Sequence, residues 1–433
     1  MSTDQYPCVF KVDLDKPAEH QPFHNRWHPE IPSVATIQCG SVYTLETIEW
    51  TGGQIGNTDD AKDVKTVDLS RIHYLSGPFE IEGAEVDDIL VVELIDIQPL
   101  KRQPFCYTGV FAKENGGGFL SSFYPEAAKI VYDIDENNIA TSRHLPHVKF
   151  DGLIHPGIVG VAPSAEQLKE INERELELKR TAKNTEDVSA IGPLVKGAHA
   201  GQAKGELFER IAREGLRTIP GRPENAGNCD VKNITAGSRT YLRVNVPGAK
   251  LSLGDAHFSM SDGESSFCGA GEMSSIITIR TSLIKNGVDR MKITNPIFLP
   301  GKLQKEYPLN RYLTFEGFSV DETGEQKYLC ANTAFKQACI KAIEYLRKYG
   351  YNDYQIYMFL SSAPLEAHIA SIVDVPNACC TLGIPMDIFD FDISPEAEPV
   401  KLDMGNCAFV TGADHEVTFD FDKLLKKTKL KNK

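Results

Sequence analysis

The sequence predicts a mostly β chain, α+β overall, with one inserted helical arm and helices appended at the C-terminal end. Three observations carry this. Alternating, β-branched segments fill the first 150 residues and return after residue 220. A charge-rich stretch with helical spacing interrupts them after Pro163. The last third turns to helical periodicity without strict strand–helix alternation, which argues against a doubly wound nucleotide fold. The chain divides into a β-rich part (1–162), a helical arm (163–220), a second β-rich part (221–320) and a helical part with a basic tail (321–433), together one unit.

In order, "SVYTLETIEW" (41–50) reads as a strand and "TGGQIGNTDDA" after it as a loop. "DDILVVELIDIQ" (87–98) reads as a strand following an acidic turn. In "PSAEQLKEINERELELKRTAKN", Ser164 and Gln167 form a capping box, and Leu168, Ile171 and Leu178 sit among many charges. That predicts a mostly solvated helix. In "RTYLRVNVPG", Leu242, Val244 and Val246 alternate with Arg243 and Asn245, as in a half-buried strand. "SSIITIRTSLI" (274–284) is the next strand. Phe335, Cys339, Ala342, Leu346 and Tyr349 form one buried helical stripe, with Asn332 or Thr333 as cap and Gly350 as stop. A second helix starts at Asp353. Asp387, Asp390 and Asp392 alternate with apolar residues, predicting an edge strand with a polar face. The tail "KLLKKTKLKNK" reads as a frayed, solvated end.

The chain carries 46 basic and 60 acidic residues, a net charge of −14. That balance opposes general nucleic-acid or anionic-membrane binding, which need a cationic face. No stretch approaches the ~20 apolar residues of a membrane span, and the first residues lack a secretory pattern. Ten scattered cysteines without C-x-x-C spacing predict reduced thiols in a cytoplasmic protein.

The densest chemistry lies in "GDAHFSMSDGE" (254–264). Asp255 and His257 are two apart, so on a strand they share a face, and Asp262 and Glu264 repeat that spacing. An imidazole beside carboxylates can start a metal site, and a further carboxylate can act as a base. Spacing alone favours a turn-rich loop, with Asp capping backbone N–H groups. Upstream, "ENAGNCDVKN" crowds Asn228, Asp230 and Lys232 into one polar segment. Asp230 offers another ligand; Asn228 or Lys232 offers help to an oxyanion. Cys229 precedes an aspartate, which would raise its pKa, so it reads as a packed thiol and not a nucleophile. His73, in a strand running into a Gly-Pro turn, and His155, among glycines and prolines, are further candidates.

These segments line up with a known family. "GDAHFSMSDGE" resembles the G-D-x-H-x-x-Q-G-D-G-E signature of the acetamidase/formamidase family. "ENAGNCDVKN" is similar to its G-G-N-x-D-x-K segment, and "IHYLSGPFEIEGAEVDDIL" to its H-x-x-T-G-P-x-x-V-E-G-A-E-x-G-D segment. The likeness runs from about residue 21 to 393 and is strongest to the longer fungal members. It implies a β-sandwich or barrel-like fold, a homo-oligomer, and hydrolysis of formamide to formate and ammonia. A larger amide or lactam as substrate, or a non-catalytic scaffold, are the alternatives. It implies a divalent metal, zinc first, on Asp230, Asp255 and His257. Glu264 or Asp262 then serves as acid–base and Lys232 or Asn228 as oxyanion support, in a small, tight pocket. Met260-Ser261 stands where the signature has Gln-Gly, and methionine cannot replace glutamine's hydrogen bonds.

Overall fold

The computed structural model describes residues 5–182, 190–301, 309–415 and 417–420. Two large sheets form the body. The first runs Cys8–Phe10, Val42–Thr47, Ser275–Ile284, Ile89–Pro99, Arg239–Arg243, Ile297–Leu299. The strands predicted at 41–50, 87–98 and 274–284 are thus its neighbouring central members. The second sheet has eleven strands. Its path ends Phe105–Val110, Phe267–Met273, Leu251–His257, His155–Gly160, Ala226–Asn228, and Leu75–Ile81 pairs with Leu251–His257 beside that path. Leu45, Leu90, Val92 and Ile277 of the first sheet and Phe79, Leu251 and Leu253 of the second belong to one continuous core. Strands buried on both faces explain the near-continuous apolar runs in the sequence.

Helix Ala165–Thr181 begins at the predicted capping box. Gln167 N–H donates to Ser164 Oγ at 3.2 Å, and Ser164 N–H to Gln167 Oε1 at 2.9 Å. Leu168 and Ile171 pack on Trp27, Leu75, Ile158 and Leu216, while Leu178 is exposed. The helix therefore backs the strand His155–Gly160. The final two residues of the predicted helix, 183 and 184, and the basic tail lie outside the described residues.

Helix Ala331–Leu346 packs on a three-stranded sheet ordered Tyr312–Phe318, Cys379–Pro385, Glu366–Ser371, where its Ala334 and Ala338 backbone meets Gly317 and Tyr345 meets Phe315, while Phe335 of the predicted stripe meets Phe119 instead. Gly350, at φ +108°, ends the following 3₁₀ turn. Its cap differs from expectation: the N-cap is Cys330, without a side-chain bond, because the helix starts before Asn332 and Thr333. Helix Asp353–Ser362 is buried throughout and capped reciprocally by Asn352 and Gln355. The acidic edge strand is not formed. A 3₁₀ turn, Met386–Ile388, ends the preceding central strand, and Asp387 and Asp390 instead reach Arg311 at 2.8 Å and His147 at 3.1 Å. Gly77-Pro78 lies inside Leu75–Ile81 and does not form the expected turn. No helix among the described residues is long and apolar enough to cross a membrane.

Candidate active site

Four neighbouring strands of the eleven-stranded sheet bring one cluster together. Leu251–His257 supplies Asp255 and His257, and Phe267–Met273 supplies Glu272, paired in register with His257. On the other side, Ala226–Asn228 leads into Asp230 and pairs with His155–Gly160, whose His155 sits opposite His257. Ligand-type atoms of Asp230, Asp255 and His257 lie within 4.8 Å of one another, and so do those of His257, Glu264 and Glu272. Between them the sheet must present almost no side chain. A Cβ on Gly157 would stand 2.6 Å from Asp230 Oδ1, 2.7 Å from Asp255 Oδ2 and 2.8 Å from His257 Cε1.

Four residues here hold left-handed backbone: His73 (φ +55°), Asp230 (+45°), Asp255 (+55°) and Glu264 (+39°). Such conformations cost non-glycine residues about 1–3 kcal/mol each and gather where function over-determines geometry. They also explain how the alternation argument divides. Asp255 and His257 converge as expected. Asp262 and Glu264 do not share a face, because Gly263 (φ +92°) and Glu264 turn the chain between them. Glu264 enters the cluster. Asp262 instead pairs with Lys232 Nζ at 3.1 Å and accepts Ala367 N–H at 2.9 Å. Lys232 also meets Glu366 at 3.1 Å and the Leu365 carbonyl. The structure thus draws Asp262 and Lys232 out of the cavity, the buried lysine tying the half-buried signature-loop carboxylate to the strand Glu366–Ser371.

The cluster forms the floor of a cavity of about 690 Å³. Asn228, Asp230, Asp255, Glu264, Glu272 and His73 line its polar end, and Trp50, Ile72, Phe111, Phe119, Ile219 and Phe267 its walls. This is far roomier than the small, tight pocket expected. Arg217 also lines it, its guanidinium donating to the Leu69 carbonyl.

Burial sets the electrostatics. It raises Glu272 and Asp230 well above the usual carboxyl range, reinforced by the surrounding carboxylates. Glu264 is pushed up to about 8 by burial and by the Asp255 charge. Burial opposes ionisation of Asp255 too, yet His73 and His257 override it and hold the carboxylate below its ordinary value. Burial would lower His257, but Asp255 wins and raises it. The pattern is a set of acids crowding one spot with too little positive charge.

That is the situation a cation resolves. Asp230 Oδ1, His257 Nε2, Glu272 Oε2 and His73 Nδ1 are all buried without a hydrogen-bond partner. His257 Nε2 lies 3.5 Å from Asp255 Oδ1 and 3.4 Å from Glu272 Oε2. One imidazole and several carboxylates suit zinc or a similar divalent ion. The residues fit the group.

The sequence profile of the Acetamidase/Formamidase family matches residues 11–391. The chain belongs to that family. A Schizosaccharomyces pombe protein bearing the provisional name formamidase is 56% identical over 93% of this chain and 98% of its own length. A formamidase of Methylophilus methylotrophus is 46% identical over 91% of this chain and 96% of its own. Among solved structures, the gamma lactamase from Delftia acidovorans has a TM-score of 0.88 at 45% identity, covering 95% of this chain and 98% of that one.

In this family member, the departure at Met260-Ser261 falls away from the cavity lining. Both residues are buried, and Ser261 N–H donates to Ser361 O at 2.8 Å at the end of helix Asp353–Ser362. The substitution therefore changes packing behind the signature loop. His155 is buried within a strand, not in a bent loop, and lies behind the cluster against His257. Cys229 is an exposed residue, not a packed one, but its neighbours still shield the sulfur, and that shielding together with Asp230 pushes the thiol up to about 11. Glu272 escaped the sequence reading. Its one signal was an acid at the end of the otherwise uncharged, glycine-rich strand "FCGAGEM".

Proposed function

We propose that the chain is an amidohydrolase of linear amides that hydrolyses formamide to formate and ammonia at this cluster. The observation that carries the reading is the convergence of Asp230, Asp255, Glu264 and Glu272 on the cavity, with His257 held against them, in a chain 46% identical to a formamidase. Asp230, Asp255 and His257 would hold a divalent ion, zinc first. When bound, such an ion polarises the amide carbonyl and lowers the pKa of water.

The chain's own residues do the rest. Glu264 faces the cavity; beside a bound cation it would take a proton from the attacking water and return it to the departing nitrogen, which must leave as ammonia. Asn228, half-buried with its Oδ1 unpartnered, orients the amide by hydrogen bonds. His73, with Nδ1 3.8 Å from Asp255 Oδ2, holds that carboxylate's position and borders the substrate carbonyl. The apolar walls exclude water around the reacting group. We read the protein as a cytoplasmic homo-oligomer, a reading supported by ten free cysteines and by the exposed apolar side chains Ile369, Ile372, Val373 and Val375.

One observation favours a second reading, a larger amide or lactam. A volume of about 690 Å³ is that of a drug-sized ligand site, and the similar Delftia protein is named a gamma lactamase. Ammonia release from formamide and acetamide, with ring opening of a γ-lactam assayed alongside, decides among the readings. Turnover of formamide above the others is expected from zinc-replete protein. No turnover of any of the three sinks the amidohydrolase reading, and lactam opening alone favours the second.

A further inference from the structure

Behind the cluster a second histidine completes a chain of hydrogen bonds. His155 is fully buried. Its Nδ1 lies 2.6 Å from the Leu153 carbonyl oxygen, and its Nε2 lies 3.2 Å from His257 Nδ1. The rings meet edge to face, with centroids 5.0 Å apart and planes at 87°. A carbonyl oxygen has no proton to give, so Nδ1 of His155 must donate. A neutral His155 then has a bare Nε2, and His257 Nδ1 must donate to it. One nitrogen of His257 is thereby fixed as N–H, and its lone pair is left on Nε2. That atom faces Asp255 Oδ1 and Glu272 Oε2 and lacks any other partner.

We infer that His155 is a positioning residue that fixes the tautomer of His257, so that Nε2 is presented to the cation as a bare ligand. The opposite tautomer would place an N–H on Nε2, which donates to carboxylates and cannot ligate. The backbone makes the direction of the relay non-negotiable: Leu153 O accepts, His155 passes the polarity on, and His257 receives it. Ligand histidines are commonly oriented through their other nitrogen, and losing that partner costs about 10–100-fold in metal affinity. The inference rests on the cation reading of the cluster, yet the tautomer itself can be read in metal-free protein.

The test uses the full chain labelled with ¹⁵N-histidine. In wild-type protein stripped by chelator, the His257 signals should show Nδ1 protonated; a His257 protonated on Nε2 alone overturns the inference. His155→Leu removes the acceptor while staying apolar. It should weaken zinc retention in chelator competition about 10–100-fold and free the His257 tautomer. His155→Gln keeps one amide donor for Leu153 O and one acceptor for His257, so it should recover most of the zinc affinity. Unchanged zinc affinity and tautomer in His155→Leu overturn the relay. If His155→Leu does not fold, the wild-type spectrum and His155→Gln still decide. Wild-type protein that binds no zinc defeats the cation reading separately, while the spectrum continues to report on the relay.

Discussion

Gly157 occupies the point where ligand atoms from three directions meet. Alanine there would bring its Cβ within 2.6–2.8 Å of two carboxylate oxygens and the imidazole. Gly157→Ala should therefore abolish turnover and strip zinc, measured as metal content per chain after gel filtration, while the circular dichroism of the sheets persists. Glu264→Gln keeps shape and hydrogen bonds but cannot carry the proton. It should lower kcat by about 10²–10⁴-fold with the fold intact; retained activity removes Glu264 as the acid. Glu264 also gives a pH signature. Its folded value, about 8, lies above its ordinary 4.5. Its contribution to stability is then full below pH 4.5 and is lost as pH rises toward 8. The melting temperature of metal-free protein should fall over that window, and Glu264→Gln should flatten the fall. At this scale the sequence was partly legible. Asp255, His257 and Asp230 were singled out by spacing and resemblance, and the fold brings their ligand-type atoms within 4.8 Å of one another. Asp262 does not share a face with Glu264 as expected, because a two-residue repeat says nothing once the backbone turns left-handed at Gly263 and Glu264.

Elements were the most legible level. The capping box at Ser164 and the stripe from Phe335 to Tyr349 depend on neighbours within a turn or two, so local sequence encodes them. Where contacts are long-range the reading weakened. The central strand Cys379–Pro385 is set by partners more than sixty residues upstream, Tyr312–Phe318, and the alternating aspartates after it suggested an edge instead. The capping box of Ala165–Thr181 allows a clean separation of stability from chemistry. Ser164→Ala removes the acceptor for Gln167 N–H and should cost about 1 kcal/mol, read as a lower urea midpoint. The cavity floor lies on the strands and not on this helix, so kcat should be unchanged.

For the whole molecule, burying several acids around one spot makes the folded chain depend on what neutralises them. Only the folded state assembles the ligand set, so zinc at 100 times its Kd should add about 2.7 kcal/mol. A chelator should reverse this, and a melting temperature indifferent to zinc would contradict the ligand assignment. The same scale explains why the pocket was misjudged from sequence. A tiny substrate implies little binding surface, but the cavity walls are assembled from residues as distant as Trp50 and Phe267, whose meeting no local pattern announces.

The segment from Asn228 to Val231 has a further use. Asn228 and Asp230 face the cavity, while Cys229 and Val231 line a separate hollow of about 150 Å³ on its far side, which Gly157 also borders. One thin partition thus has chemistry on one surface and an exposed, slow-reacting thiol on the other. The alkylation rate of Cys229 with and without zinc should therefore differ if engagement of Asp230 is felt through the backbone, and an unchanged rate would show the two surfaces to be independent.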